Sequence, residues 1–262
     1  LSLLKSLPRV LRESGFRVTA VIGNGRILGI EPGDTSSRML GAAFDIGTTT
    51  VVCYLLDLRT GVQRAVSSTL NPQVKFGADV ISRTNYCDEN NGGLERIRGV
   101  LVDAMNRLTA DCAVKAGAAV EDIYAVSVVG NTCMHHLFLG LSPRNIARAP
   151  FVPVVGAPVE MPAEELGLKA NPAGRAFILP TVAGFVGADT VGVVLATGMD
   201  RCGDIELAID IGTNGEIVLG SAERLAACST AAGPAFEGAH ISCGMRGAEG
   251  AIDHARFDGA FS

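Results

Sequence analysis

The sequence predicts an α/β fold built around an internal duplication. Three observations carry that prediction. The phrase Asp45-Ile46-Gly47-Thr48 recurs as Asp210-Ile211-Gly212-Thr213. Each copy follows a short apolar run and leads into a second one, the pattern of strand, Gly-containing turn and strand. Behind the first copy lie a long helical periodicity and a further buried strand. The repeated unit is therefore a domain, not a solenoid turn.

The elements follow in order. Leu3 to Glu13 reads as a helix that Pro8 either breaks or begins. Phe16 to Ile22 and Arg26 to Ile30 are β-type runs joined by Gly23-Asn24-Gly25, a hairpin signal. Glu31 to Ser37 reads as a linker. Strand one of the first copy ends at Asp45. Strands two and three run over about 50–57 and 62–69, a three-strand meander that Asn71-Pro72-Gln73 ends. Two helices come next. In the stronger, Leu94, Ile97, Leu101, Met105, Leu108 and Cys112 recur every three to four residues, and Gly117 suits its C-cap. Tyr124 to Val129 is a buried-type strand, 132–140 a helix, and 142–175 a Pro- and Gly-rich loop with short pieces. Phe177 to Pro180 is a short strand, and Gly187 to Gly198 an apolar helix of small residues. The meander then restarts over 207–210, 216–220 and 224–228.

Composition narrows the class. With 48% apolar and 19% charged residues in 262, the chain has the makeup of a folded protein with a sizeable core. Its net charge of −5 and scattered Lys and Arg argue against nucleic acid as a partner. No apolar stretch reaches the roughly 18 residues that cross a bilayer, so no membrane association is expected. The seven Cys are widely spaced, without a C-x-x-C pair. They fit reduced thiols in the cytoplasm better than a disulfide or cluster framework.

The duplicated phrase carries the chemistry. A carboxylate at a strand end beside a Gly turn suits Mg²⁺ held through water, because Mg²⁺ dehydrates reluctantly. Asp45 and Asp210 are the candidates. Gly47 and Gly212 allow the backbone close to a phosphate. Thr48 and Thr49, then Thr213, Asn214 and Gly215, add hydroxyl and N–H donors. Thr50 reads as an ordinary strand residue. No Lys sits in either loop, so the site is not of the Walker type. Glu216 is a candidate for orienting an attacking water, although period-2 alternation could turn it away from the ligand. His135 and His136 are adjacent and make a poor metal pair.

The order β-β-β-α-β-α with Asp-x-Gly-Thr at its first hairpin resembles the actin, sugar-kinase and heat-shock-chaperone ATPase superfamily. Longer strings are similar to the C-terminal ATPase domain of reductive activators of corrinoid proteins. They are Asp45 to Thr50, Asn71-Pro-Gln73 with Phe76-Gly-Ala-Asp-Val-Ile-Ser-Arg83, Val129-Gly-Asn131, Gly184 to Asp189, Asp210 to Glu216 and Cys228 to Gly238. The resemblance spans about 41–252. It implies an α/β, actin-like ATPase fold of two RNase-H-like lobes with ATP between them. Asn131 stands where the superfamily often places a polar residue near the γ-phosphate.

The resemblance also implies an activity. ATP and Mg²⁺ would drive the uphill one-electron reduction of Co(II) to Co(I) in a corrinoid protein or corrinoid-dependent methyltransferase. The electron would come from a [2Fe–2S] domain for which this chain has no Cys motif. The expected organisation is the end of an upstream domain plus linker (1–38), a first lobe (39–203) and the start of a second, truncated lobe (204–262). A homodimer is possible. A small-molecule kinase and a nucleotide-binding scaffold protein of the same fold are the alternatives.

Overall fold

The computed structural model describes residues 2–212, 214–231 and 242. The chain divides into two compact units, Leu1–Val191 and Gly192–Ser262.

The first unit opens with helix α1 (Ser2–Glu13), which runs through Pro8, and a hairpin of β1 (Val18–Gly23) and β2 (Arg26–Pro32). Phe16 is left outside the hairpin, at positive φ. Gly23 pairs with Arg26, so Asn24 and Gly25 alone make the turn, both at positive φ. That is the two-residue turn whose twist matches the strands. The hairpin is fastened to the rest of the unit at both ends. Asn24 Nδ2 donates to Glu160 at its tip. At its base, Glu31 accepts from Tyr124 Oη and Asn171 Nδ2.

The main sheet of this unit has six strands. The meander is β3 (Leu40–Ile46), β4 (Thr50–Asp57) and β5 (Gln63–Leu70). Helices α2 (Val80–Glu89) and α3 (Gly93–Ala116) follow, then β6 (Ile123–Gly130) and α4 (Thr132–Leu139). Two short strands, β7 (Val159–Pro162) and β8 (Arg175–Ile178), complete the order β5-β4-β3-β6-β8-β7. Strands β3, β6 and β8 are mutually parallel, and the meander is antiparallel. This is the meander–helix–strand–helix order of the expected lobe. The stretch 142–175, expected to be mainly loop, contributes β7 to the sheet edge. The short strand lies at 175–178, slightly before its expected position.

Alternation along β3 sets the faces. Leu40, Ala42, Phe44 and Ile46 are buried, whereas Asp45 points the other way and is exposed. The buried face meets Ile97, Leu101, Met105, Leu108 and Cys112, the stripe read from the periodicity of α3. Gly117 caps that helix at φ 63°. Helix α5 (Ala188–Thr197) begins in the first unit with Ala188 and Thr190 buried.

The second unit contains β9 (Glu206–Ile211), β10 (Asn214–Ser221) and β11 (Arg224–Ala231), an antiparallel meander ordered β11-β10-β9. Its strands are those expected from the restart of the pattern.

Candidate functional site

The parallel strands β3 and β6 end side by side, Ile46 opposite Gly130. Ligands of α/β sheets collect at such carboxyl ends. Three glycines let the backbone crowd there. A Cβ on Gly47 would lie 2.8 Å from Thr50 O, and one on Gly130 2.7 Å from Ile46 O. One on Gly187 would lie 2.5 Å from Asn131 Cα. The segment after β8 is thereby laid directly against the end of β6. A cavity of about 540 Å³ lies under the linker hairpin, against Met39, Leu58, Tyr124 and Phe177. It sits at the opposite end of the sheet from these strand ends.

The turn Gly47 to Thr50 is held from behind. Gly47 N–H donates to Thr50 O at 2.9 Å and closes the turn. Asn71 Nδ2 donates to Gly47 O at 2.8 Å, and the Asn71 backbone N–H donates to Thr49 O at 2.7 Å. Arg83 Nη2 donates to Thr48 O at 2.6 Å. Each carbonyl of the turn therefore has a donor within the unit. In a trans peptide the N–H points opposite to the C=O. Pulling the Gly47 and Thr48 carbonyls inward therefore turns the Thr48 and Thr49 N–H groups outward. Outward peptide N–H groups in a turn form an anion-binding concavity.

The braces are themselves fixed. Asn71 Oδ1 accepts from Gln73 N–H and caps a short 3₁₀ turn, Pro72–Phe76. Gln73 Nε2 is spent on Ile97 O. Arg83 rides on α2, whose N-terminus carries a reciprocal Asp79–Ser82 capping box. Backbone and side-chain donors from Ser82 hold the Asp79 carboxyl below its usual range, against the opposing effect of burial.

Asn131 sits beside this turn. Its Oδ1 accepts from Met134 N–H as the N-cap of α4, and its Nδ2 donates to Thr48 Oγ1 at 2.9 Å. The cap fixes the amide orientation. Thr48 accepts there, so its own hydroxyl proton is free to be donated elsewhere. The structure thus brings Asp45, Gly47, Thr48, Thr49 and Asn131 together at two adjacent strand ends.

Deeper in α4, burial and then the neighbouring His136 push His135 down to about 4. Burial also lowers His136, whose Nδ1 bonds to Thr132 O and whose Nε2 accepts from Val154 N–H. Among the described residues no cluster of His, Cys, Asp or Glu has a metal-binding arrangement.

In the second unit Gly212 N–H donates to Asn214 O at 3.1 Å and closes a shorter turn. Asp210 at the end of β9 is exposed, and Gly215 is buried. Thr213 lies outside the described residues. The register shows what Glu216 faces within the sheet. Glu216 pairs directly with Asp210 across the ladder, and directly opposed residues share a face. Alternation does not turn Glu216 away from Asp210. Its carboxylate accepts from Ser229 Oγ at 2.9 Å.

Asn71, Gln73 and Arg83 lie within the motif strings, but their residue types alone assign them no role at the turn. An Arg on a polar helix reads as a solvated side chain. The available signal was Asn-Pro-Gln immediately after a strand, a cap in a place where a turn must be braced.

Residues 40–202 match the profile described as the RACo middle region. Residues 204–261 match the C-terminal domain of RACo, the ASKHA domain, and residues 1–37 the RACo linker region. The chain is 38% identical over 254 residues to the corrinoid activation enzyme RamQ of Eubacterium limosum, covering 96% of this chain and 42% of that protein. It is 26% identical over 232 residues to a Methanosarcina barkeri protein named [Co(II) methylated amine-specific corrinoid protein] reductase, covering 85% and 42%. A solved structure titled reductive activator for corrinoid,iron-sulfur protein superposes with a TM-score of 0.88 at 42% identity, covering 97% of this chain and 41% of that one. The chain thus spans about two-fifths of the length of these relatives. The fold is the expected α/β, actin-like (ASKHA) one. Among the described residues no helix is long and apolar enough to cross a membrane. The chain belongs to the RACo family, the reductive activators of corrinoid proteins.

Proposed function

We propose that this chain supplies ATP-binding and ATP-hydrolysing residues to a cytoplasmic reductive activator of a corrinoid protein or corrinoid-dependent methyltransferase. In this reading residues 1–38 are linker, 39–203 a first RNase-H-like lobe and 204–262 the beginning of a second. The observation that carries it is the first turn, whose retracted carbonyls leave the Thr48 and Thr49 N–H groups facing outward. That arrangement fits phosphate oxygens. Gly47, Thr48 and Thr49 take one set of them, and Gly212, Thr213, Asn214 and Gly215 take another. Asp45 and Asp210 hold Mg²⁺ through its water shell. Asn131 and Glu216 are the candidates for orienting the water that attacks the γ-phosphate.

When bound there, Mg²⁺ would offset charge that develops on the phosphates. The protein's share is positioning: fixed N–H donors need no reorganisation as the reaction proceeds. A [2Fe–2S] group of the full activator would supply the one electron that takes Co(II) to Co(I) in the corrinoid partner. ATP hydrolysis makes that uphill transfer possible. A homodimer of the full protein is compatible with this scheme.

The test is the double variant Asp45→Ala, Asp210→Ala, with ATP hydrolysis and the Co(I) absorbance band read in parallel. Both signals should fall together. ATPase activity equal to wild type would refute the assignment. Phosphorylation of a sugar or of acetate would move the protein to the kinases instead.

A further inference from the structure

Arg83 is among the largest fully buried side chains of the protein, at 0% exposure. Among the described residues its four hydrogen-bond acceptors are all neutral: Thr48 O, Gly77 O, Gln73 Oε1 and the Met134 sulfur. Desolvation pulls its pKa down to about 10, with opposing contributions from Cys133 and Asp79. It therefore stays protonated at neutral pH. A buried charge whose hydrogen-bond acceptors are all neutral, with the Asp79 carboxylate acting on it only through space, is an unfavourable arrangement for the lobe alone. Such local violations collect where function requires them.

The surroundings hold the guanidinium in one place. Gly77 leaves no room for a side chain, since a Cβ there would lie 2.7 Å from Arg83 N. Its carbonyl accepts from Arg83 Nε at 3.0 Å. Met134 closes the site from α4. The shortest bond of the set runs from Nη2 to the carbonyl in the middle of the turn, Thr48 O. The carbonyl and the next N–H belong to one rigid peptide plane. Gripping Thr48 O from below therefore presents the Thr49 N–H above.

We propose that Arg83 is the positioning cation of the first phosphate turn: it locks the Thr48–Thr49 peptide with its N–H outward and holds a buried positive charge that a polyphosphate chain neutralises from the other side. This rests on the nucleotide reading given above. Arg83 does not touch the ligand; it acts through the turn and through its field. Its contribution therefore scales with ligand charge.

The experiment measures binding of Mg-ATP, Mg-ADP and AMP by calorimetry to the purified protein and to Arg83→Met, Arg83→Gln and Arg83→Lys, with thermal midpoints recorded alongside. Met approximates the volume without charge, Gln keeps one N–H donor without charge, and Lys keeps the charge. The expected result is a loss of at least about tenfold in ATP affinity for Arg83→Met, in line with one charge-assisted interaction. A smaller loss is expected for ADP and the smallest for AMP. Arg83→Lys should restore most of that grading. If Arg83→Met does not fold, the comparison of Gln with Lys carries the test, and Lys should bind ATP about tenfold tighter. Equal losses for all three nucleotides, or no loss, would overturn the proposal and leave the nucleotide reading standing. Absence of ATP binding by the wild-type protein would overturn both.

Discussion

Replacing Asn71 with Ala should loosen the first turn from behind without touching any outward donor. Asn71 is 1% exposed, so water cannot take the place of its side chain. Four bonds disappear: from Nδ2 to Gly47 O at 2.8 Å, to Gln73 Oε1 at 3.4 Å and to the Met134 sulfur at 3.7 Å, and from Gln73 N–H to Oδ1 at 3.0 Å; the first and last are the strong ones. The backbone bond from Asn71 to Thr49 O at 2.7 Å survives. A buried polar group left without a partner costs about 1–3 kcal/mol. A lost side-chain cap costs about 1 kcal/mol. The two terms share the Gln73 N–H, so they do not simply add, and a total of about 3 kcal/mol is expected. For a domain of this size that corresponds to a fall of about 6–12 °C in the thermal midpoint. Asn71→Asp separates the contributions. It keeps the cap acceptor but cannot donate to Gly47 O, so it should fall between Ala and wild type. Circular dichroism melts read the midpoint. Hydrogen exchange reads the Gly47 amide, which closes the turn on Thr50 O and should exchange faster in both variants. A midpoint within about 2 °C of wild type, with unchanged Gly47 exchange, would refute the claim that Asn71 braces the turn.

Two glycines should respond in opposite directions to the same substitution. Gly187→Ala drives a Cβ to within 2.5 Å of Asn131 Cα and 2.7 Å of Gly130 O. Urea titration should show a loss of about 1–3 kcal/mol. Gly99→Ala, in α3 with nothing within 4 Å of the new Cβ, should gain about 0.5–1 kcal/mol. The histidines of α4 set an acid limit. The folded pKa of His135 is lowered from 6.5 to about 4. The unfolded chain therefore binds its proton first, and stability that is fully present above pH 6.5 is lost as pH falls toward 4. That loss amounts to about 3 kcal/mol. His136 adds to it in the same direction. Melts across that window should flatten in His135→Phe, and an unchanged slope would count against the assignment.

The strands and the long helix were legible because each is a local pattern. The alternation of β3, the stripe of α3 and the Asn24-Gly25 turn can all be read within a few residues of sequence. Strand β7 was not, since a four-residue edge strand ending in Pro162 carries too little periodicity. The site was legible by half. Asp45, Gly47, Thr48 and Asn131 announce themselves through residue type and motif. The braces do not. Arg83 reaches Thr48 across 35 residues of chain, Asn71 reaches Gly47 across 24, and Arg83 reaches Met134 across 51. No window of sequence contains those pairs, and only the packing of α2 and α4 against the strand ends creates them.

The duplicated phrase also proves less symmetric in structure than in sequence. In the first copy Ile46 pairs with Val51, which leaves Gly47 to Thr50 as the turn. In the second Ile211 pairs with Gly215, which leaves only Gly212 to Asn214. Turn length sets register, and a one-residue change moves every following side chain to a new partner. Asp45 therefore faces Val52, whereas Asp210 faces Glu216. Like charges directly opposed are unfavourable in a sheet, and a cation offsets that repulsion. The same four letters thus set up different chemistry. The first copy has its Gly47 and Thr48 carbonyls drawn inward, with the buried Arg83 beneath it. The second presents two carboxylates on one face, Glu216 steadied by Ser229. An acid opposite Val52 and an acid opposite Glu216 sit in different cross-strand surroundings. Under the nucleotide reading proposed above, the two copies would therefore not contribute equally to metal and phosphate, a difference that identical motifs alone would not suggest.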